Sequence, residues 1–245
     1  MSPSDVCIAA IAFARDDQED ALIRRALQRL SAIGFPIVVA DGGSSPALVD
    51  ALARLPRVTL VKPPTRGLVP QVKAALATAA ALDTPFVLYT ESDKAEFFER
   101  HLAAFLSRAP SDNDVGVSVA ARSEASFATF PPLQRYCEHA IAHLTAEVTH
   151  VAGDYSYGPF LMHRALLDEM RDVPDDLGWG WRHFMFAAAA LRGRRVAHVV
   201  GDYDCPIDQR HEGEHERMHR LRQLSQSVEG LVLALQRLRA GGSSA

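Results

Sequence analysis

Phe86-Val-Leu-Tyr-Thr-Glu-Ser-Asp-Lys94 is a run of apolar and β-forming residues that stops abruptly at a carboxylate, a serine and a second carboxylate. Such a run reads as a buried strand, and Glu91-Ser92-Asp93 falls where its C-terminal end meets solvent. Open α/β sheets bind ligands at that edge. Two carboxylates flanking one residue can offer oxygen donors to a hard divalent cation, which in turn bridges the phosphates of a nucleotide. The same triplet also suits a turn whose acids cap the helix beginning near Ala95.

Working outward, the preceding residues repeat one pattern. Val6 to Phe13 is a continuous apolar run, as a strand covered on both faces would be. A helix is expected over 18–33, with Leu22, Ala26, Leu30 and Ile33 on its apolar face and Gly34 as its C-cap. A second strand over 36–40 ends in Asp41-Gly-Gly-Ser-Ser45, before a short helix at 46–52. A third over 58–61 leads through Lys62-Pro-Pro-Thr-Arg-Gly67 into an alanine-rich helix over 69–82. Four strand-helix units in succession predict an α/β fold with a mostly parallel, doubly wound (Rossmann-like) sheet and right-handed crossovers.

The strand ends should therefore open on one edge. Asp41 offers a carboxylate for a ribose or base, and Gly42 lets backbone approach a ligand; an ordinary turn with a cap at Ser44 or Ser45 is the other reading. Arg66 and Gly67, with Lys73 one and a half turns into the next helix, can neutralise a diphosphate or be solvated surface charges.

Composition sets limits. With 245 residues, 48% of them hydrophobic, the chain can bury a large core, and a single domain is expected. A net charge of −4 with scattered Arg and Lys gives no basic track, which argues against nucleic acid. Cys7, Cys137 and Cys205 are odd in number, far apart and without a CxxC, as buried thiols in a reducing compartment would be. Met1-Ser-Pro-Ser-Asp has no basic leader and no segment approaches a membrane span, so a cytoplasmic, soluble protein is expected.

The second half is less periodic. A strand at 115–120 precedes a helix over 133–148 with Tyr136, His139, His143 and His150 in or beside it, read as surface histidines. Gly153-Asp154-Tyr-Ser-Tyr-Gly158 is a loop leading into a strand; its aromatics suit a pocket or a hydrogen-bonded core tyrosine. Trp179-Gly180-Trp181 opens a helix to Arg192, either as an aromatic lid over the core or as a platform for a sugar ring. A strand at 194–200 and a charged amphipathic helix at 214–238 follow. The latter's stripe of Leu221, Leu224, Val228, Leu231, Leu235 and Leu238 would pack on the core or form a homodimer seam. Gly241-Gly-Ser-Ser-Ala245 reads as a short flexible end.

The order of "VADGGSS", "TRGLVPQVKAAL", "ESD", "AGDYSYG", "GWGWR" and "QRHE" resembles the nucleotide-sugar glycosyltransferases of GT-A fold, most of all the retaining group of glucosyl-3-phosphoglycerate and mannosylglycerate synthases. The resemblance implies a GT-A-like domain that takes small-molecule substrates. Residues 1–122 would be its nucleotide-sugar half, 123–213 its acceptor half and 214–245 the terminal helix and tail. It implies a nucleoside-diphosphate sugar as donor with Mg2+ or Mn2+. Asp41 and Gly42 would lie at the nucleoside, and Arg66, Gly67 and Lys73 at the diphosphate. Asp93 and His211 would hold the metal, with Glu91 on a ribose hydroxyl or a metal-bound water. Tyr155, Gly158, Trp179 and Gly180 would line the acceptor side.

This sequence departs from the pattern at two places. Glu91 stands where the group prefers aspartate, and Arg182 stands where relatives carry a glutamate contacting the donor sugar. The second change removes an obvious general base, leaving Asp154, Asp175 or Asp176, or a retaining reaction in which the leaving phosphate takes the proton. "GDYSYGPF" also lacks the arginine expected for a phosphorylated acceptor. A nucleotidyltransferase is the rival enzyme, although Ala14-Arg15-Asp16-Asp17 has no glycine-rich signature; a non-catalytic sugar-nucleotide-binding domain is the other alternative.

Overall fold

The computed structural model describes residues 1–240; the Gly241–Ala245 end lies outside the described residues. The fold is α/β and is built mostly of parallel strands. It divides into two compact units, the first from Met1–Arg108 and Pro159–Asp176, the second from Ala109–Gly158 and the chain from Leu177 onward.

In the first unit, β1 (Val6–Ala12), β2 (Ile37–Asp41), β3 (Val58–Val61) and β4 (Phe86–Glu91) are parallel, in the spatial order β3-β2-β1-β4. β1, β2 and β4 are buried almost throughout, as their unbroken apolar runs require when both faces are covered. Register then aligns the C-terminal strand ends: Ala12 lies opposite Asp41, and Ile11 lies opposite Glu91. β6 (Phe160–His163) joins the far side of β4 and runs antiparallel to it, with Tyr89 opposite Phe160. The sequence pointed to a strand here but not to its direction, because four residues carry no record of which neighbour they pair with.

Local chemistry starts the helices where expected. Asp16 caps α1 (Asp17–Ala32), accepting from the Gln18 and Glu19 amides at 3.0 and 2.9 Å, and three acids occupy the first turn. The buried stripe of α1 is Ile23, Ala26, Leu27 and Leu30; Leu22 is half-buried and Ile33 is exposed, so the apolar face is rotated from the one expected. Ser45 caps α2 (Pro46–Ala53), with Pro46 in its first turn. α3 (Leu68–Ala80) begins after Gly67, whose φ of +136° favours glycine. After β4 the chain makes a π-helical turn, Phe97–His101, before α4 (Leu102–Arg108), and buries Phe97 and Phe98.

In the second unit, β5 (Val115–Arg122) and β7 (Arg195–Gly201) pair in parallel. Between them in the chain come the one-turn α5 (Glu124–Phe127), α6 (Pro132–Thr149) and α7 (Gly180–Leu191). α8 (Glu214–Ala240) packs against α7 and α6 of the same chain. Its fully buried line is Ser227, Gly230, Leu231 and Ala234; of the predicted stripe Leu231 is buried, Leu224, Val228, Leu235 and Leu238 are half-buried, and Leu221 is 45% exposed. The cause is backbone approach. A Cβ on Gly230 would lie 2.0 Å from the Gly180 carbonyl oxygen, and one on Gly180 would lie 2.0 Å from that of Gln226. Small residues, not leucines, are what this crossing admits.

Gly230→Ala should therefore force α7 and α8 apart. Overpacking of this kind costs about 1–3 kcal/mol, read as a lowered urea midpoint; an unchanged midpoint would show that the two helices separate freely.

Candidate functional site

Unit one gathers polar groups at the C-terminal ends of its parallel strands. The Asp41 carboxylate, 8% exposed, accepts from the Gly43 amide at 2.9 Å and the Ser44 amide at 3.1 Å. The Gly42 amide donates to the Ala12 carbonyl at 2.8 Å, and Ser44 Oγ accepts from the Ala14 amide at 3.0 Å, tying the loop after β2 to the end of β1. The turn reading of this segment is thus realised, with Ser45 as the cap. An ionised carboxylate still has lone pairs to offer a ligand hydroxyl.

At the end of β4, Ser92 is buried, Glu91 is half-buried and Asp93 is exposed. The π turn that follows carries no side-chain cap, and among the described residues the Asp93 carboxylate has no hydrogen-bond or ion-pair partner, its backbone carbonyl alone accepting from the Ala95 amide at 2.9 Å. Its carboxylate is left facing solvent, not spent on a helix end. Arg66 and Gly67 are exposed at the start of α3. Lys73 is differently placed: its Nζ donates to Asp175 Oδ1 at 2.8 Å, so both groups are committed to an ion pair.

Among the described residues no three His, Cys, Asp or Glu side chains gather as a metal cage. A hard cation held by one or two carboxylates plus a ligand's phosphate oxygens needs no such cage. The Asp93 carboxylate, exposed and without a partner among the described residues, fits that role. His211, in unit two, is exposed after β7.

Unit two is organised about a buried arginine that sequence reasoning missed. The Arg122 Nε and Nη2 donate to the two oxygens of Asp154 at 2.7 and 2.8 Å, and the Arg122 amide adds a third bond at 3.0 Å. Nη2 also donates to Glu138 at 2.7 Å, and the guanidinium lies 4.6 and 4.4 Å from the Phe127 and Phe130 ring centroids. Burial pushes the Asp154 carboxyl up, but the charge and hydrogen bonds of Arg122 outweigh it and hold the group below its ordinary value. Both oxygens are spoken for, since the Ser156 amide donates to Oδ1 as well. No short motif announces this network, because its members come from β5, α6 and the loop before β6.

The other expected residues of this unit are brought together around the same loop. Tyr155 is fully buried; its hydroxyl donates to the Val151 carbonyl at 2.6 Å and lies 2.7 Å from Thr149 Oγ1. This is the core-tyrosine alternative, and the hydroxyl expected at an acceptor instead closes the end of α6. Arg182 is also buried, and its Nη2 donates to the Gly158 carbonyl at 3.2 Å and approaches that of Tyr155 at 3.4 Å. It braces the 153–158 loop from beneath. Gly180 is filled by its contact with α8, as described above, and so does not offer open backbone to a substrate. Trp181 is wholly buried and supplies the lid over the core; Trp179 is half-buried, with its amide donating to Gln226 Oε1 at 3.1 Å. Tyr157 stacks on Tyr203 with ring centroids 4.6 Å apart.

In three dimensions the chain superposes on several solved structures. Mannosyl-3-phosphoglycerate synthase from Rubrobacter xylanophilus matches with a TM-score of 0.62 at 14% identity, over 97% of this chain and 75% of that one. Glucosyl-3-phosphoglycerate synthase from Mycobacterium tuberculosis, solved with Mn2+, uridine diphosphate and glucosyl-3-phosphoglycerate, matches with a TM-score of 0.58 at 14% identity, over 93% of this chain and 80% of that one. A further mycobacterial protein gives 0.61 at 14% identity, over 93% and 75% of the two chains. No protein-family model matches the sequence, and no curated protein matches it in sequence. The chain has the fold of these GT-A type glycosyltransferases.

Asp154→Ala should cost about 3–5 kcal/mol by leaving Arg122 buried with half its compensation. The sign with pH follows from the lowered carboxyl. Its contribution is complete above the unfolded value of about 3.9 and is lost as pH falls through the folded one. Urea midpoints of wild type and variant should thus differ at pH 7 and converge as pH drops below about 4; an equal gap at both would remove the charged clamp from the account.

Proposed function

We propose that this chain is a metal-dependent glycosyltransferase that moves a sugar from a nucleoside-diphosphate donor to a small hydroxyl acceptor. What carries the reading is the strand edge of unit one, where Asp41, Gly67, Glu91 and Asp93, whose carboxylate has no partner among the described residues, follow successive parallel strands. The fold shared with two sugar-transferring synthases, one of them solved with Mn2+ and uridine diphosphate, supports it. In this reading residues 1–122 serve the donor and 123–213 the acceptor.

A divalent cation, Mn2+ or Mg2+, would supply charge stabilisation for the departing diphosphate. Asp93 would hold it together with the donor's own oxygens, and Arg66 would add a fixed positive charge beside the leaving group. Asp41 would accept from a ribose hydroxyl while its two backbone bonds keep it in place. Glu91 would orient donor hydroxyls or a coordinated water. The late histidine of the resembled group corresponds to His211, and His211→Ala is the separate test of that role.

Retention is the stereochemical part of the proposal. Two of the carboxylates considered as a general base are already engaged, Asp154 by Arg122 and Asp175 by Lys73. The acceptor proton would then pass to the departing phosphate oxygen, and Arg182 would act by bracing the acceptor loop with no proton to exchange. Gly158 and Trp179 would shape the acceptor side of that loop.

Incubation with UDP- and GDP-sugars and Mn2+ should release free nucleoside diphosphate, and anomeric NMR of the glycosylated product should show retained configuration. Asp93→Asn should lower turnover at least about a hundredfold, the scale of losing one charge-stabilising group, with the melting temperature unchanged. Nucleotide binding without turnover would mark a non-catalytic domain, and pyrophosphate-dependent formation of a sugar nucleotide would mark a nucleotidyltransferase.

A further inference from the structure

Gln71 is a polar residue buried at a place where neither packing nor helix chemistry asks for one. It lies in the first turn of α3, and only 8% of it is exposed. Its Nε2 donates to the Gly67 carbonyl at 3.2 Å, which fixes the amide's orientation and turns Oε1 the other way. That oxygen is fully shielded from solvent and has no hydrogen-bond partner among the described residues. A buried acceptor left without a hydrogen bond is destabilising, so a leucine here would be the stable choice.

The amide also explains a glycine. A Cβ on Gly42 would lie 2.6, 2.8 and 3.0 Å from Gln71 Nε2, Cδ and Oε1, so the side chain lies flat beneath the loop after β2. One amide thus touches the loop carrying Asp41 and is bonded to the loop carrying Arg66 and Gly67. Its hold is unequal: a hydrogen bond on the Gly67 side, contact alone on the Gly42 side.

We propose that Gln71 is a positioning residue that couples these two loops energetically. An occupant of the Asp41 loop presses on the Gln71 amide through Gly42, and the amide transmits the constraint to Gly67 and Arg66. A nucleoside diphosphate spans both loops, nucleoside on one and diphosphate on the other, and it is the class of ligand that makes the coupling visible. This rests on the proposed function for the identity of the ligand; the strut itself rests on the geometry of unit one.

The test is a double-substitution cycle on nucleotide affinity, measured by calorimetry with UDP and with GDP in the presence of Mn2+. Asp41→Ala, Arg66→Ala and the pair are compared in the wild-type background and in Gln71→Leu. With Gln71 present, the affinity lost by the pair should differ from the product of the single losses by about tenfold, within the range for coupled neighbours. With Gln71→Leu the losses should simply multiply. Gly42→Ala, which drives a methyl into the amide without removing it, should also abolish the coupling, and it keeps the test intact if the leucine variant fails to fold. A residue that merely supports the helix would weaken every variant equally and leave the tenfold factor standing in both backgrounds, which would overturn the proposal. If the unsubstituted protein binds neither nucleotide at millimolar concentration, the donor reading fails and the coupling falls with it, an outcome distinct from binding with unchanged coupling.

Discussion

The pairing of β1 between β2 and β4 is the constraint on which the site depends. Parallel strands joined by right-handed crossovers must all end on one edge, and this register sets Asp41 beside Ala12 and Glu91 beside Ile11. The backbone bonds at that edge continue the sheet into the loops, since the Gly42 amide reaches the Ala12 carbonyl and Ser44 receives the Ala14 amide. Loops anchored in this way hold their polar groups at fixed spacing, which is what a site for a charged, extended ligand needs.

The second unit solves a different problem, that of holding an irregular loop before a short strand. Backbone groups in the 153–158 loop cannot be satisfied by a ladder, so side chains do it. Arg182 donates to two of its carbonyls, and Asp154 pins its start to Arg122. Arg182 and Asp154, which look chemical in sequence, are therefore bound up in holding shape together with Arg122. His183 is likewise structural: buried on α7 beside Thr145, it is driven down to about 3 by burial first and by the neighbouring Arg182 charge second.

Much of the first unit was legible because its signals are local. Unbroken apolar runs marked the buried strands and Ser45 stood among the expected helix caps, whereas the Asp16 cap and the positive φ of Gly67 come from the fold itself. What was not legible required knowing the neighbour. The direction of β6 is set by β4, and the closest approach of α8 is set by the Gly180 carbonyl, so of the expected stripe Leu231 is fully buried while Leu224, Val228, Leu235 and Leu238 are half-buried and Leu221 is exposed. Two tryptophans two residues apart in sequence looked alike, and only packing makes Trp181 the buried one. Gln71 carries no motif; its meaning comes from Gly42 and Gly67, which lie 29 and 4 positions away.

A crystal structure of the protein with Mn2+ and uridine or guanosine diphosphate tests the central claim most directly, because that claim is about place. The account predicts nucleoside density against Asp41 and an anomalous manganese peak within coordination distance, about 2–2.6 Å, of an Asp93 oxygen. Nucleotide bound away from the C-terminal ends of β1, β2 and β4, or a metal that leaves Asp93 untouched, would contradict it.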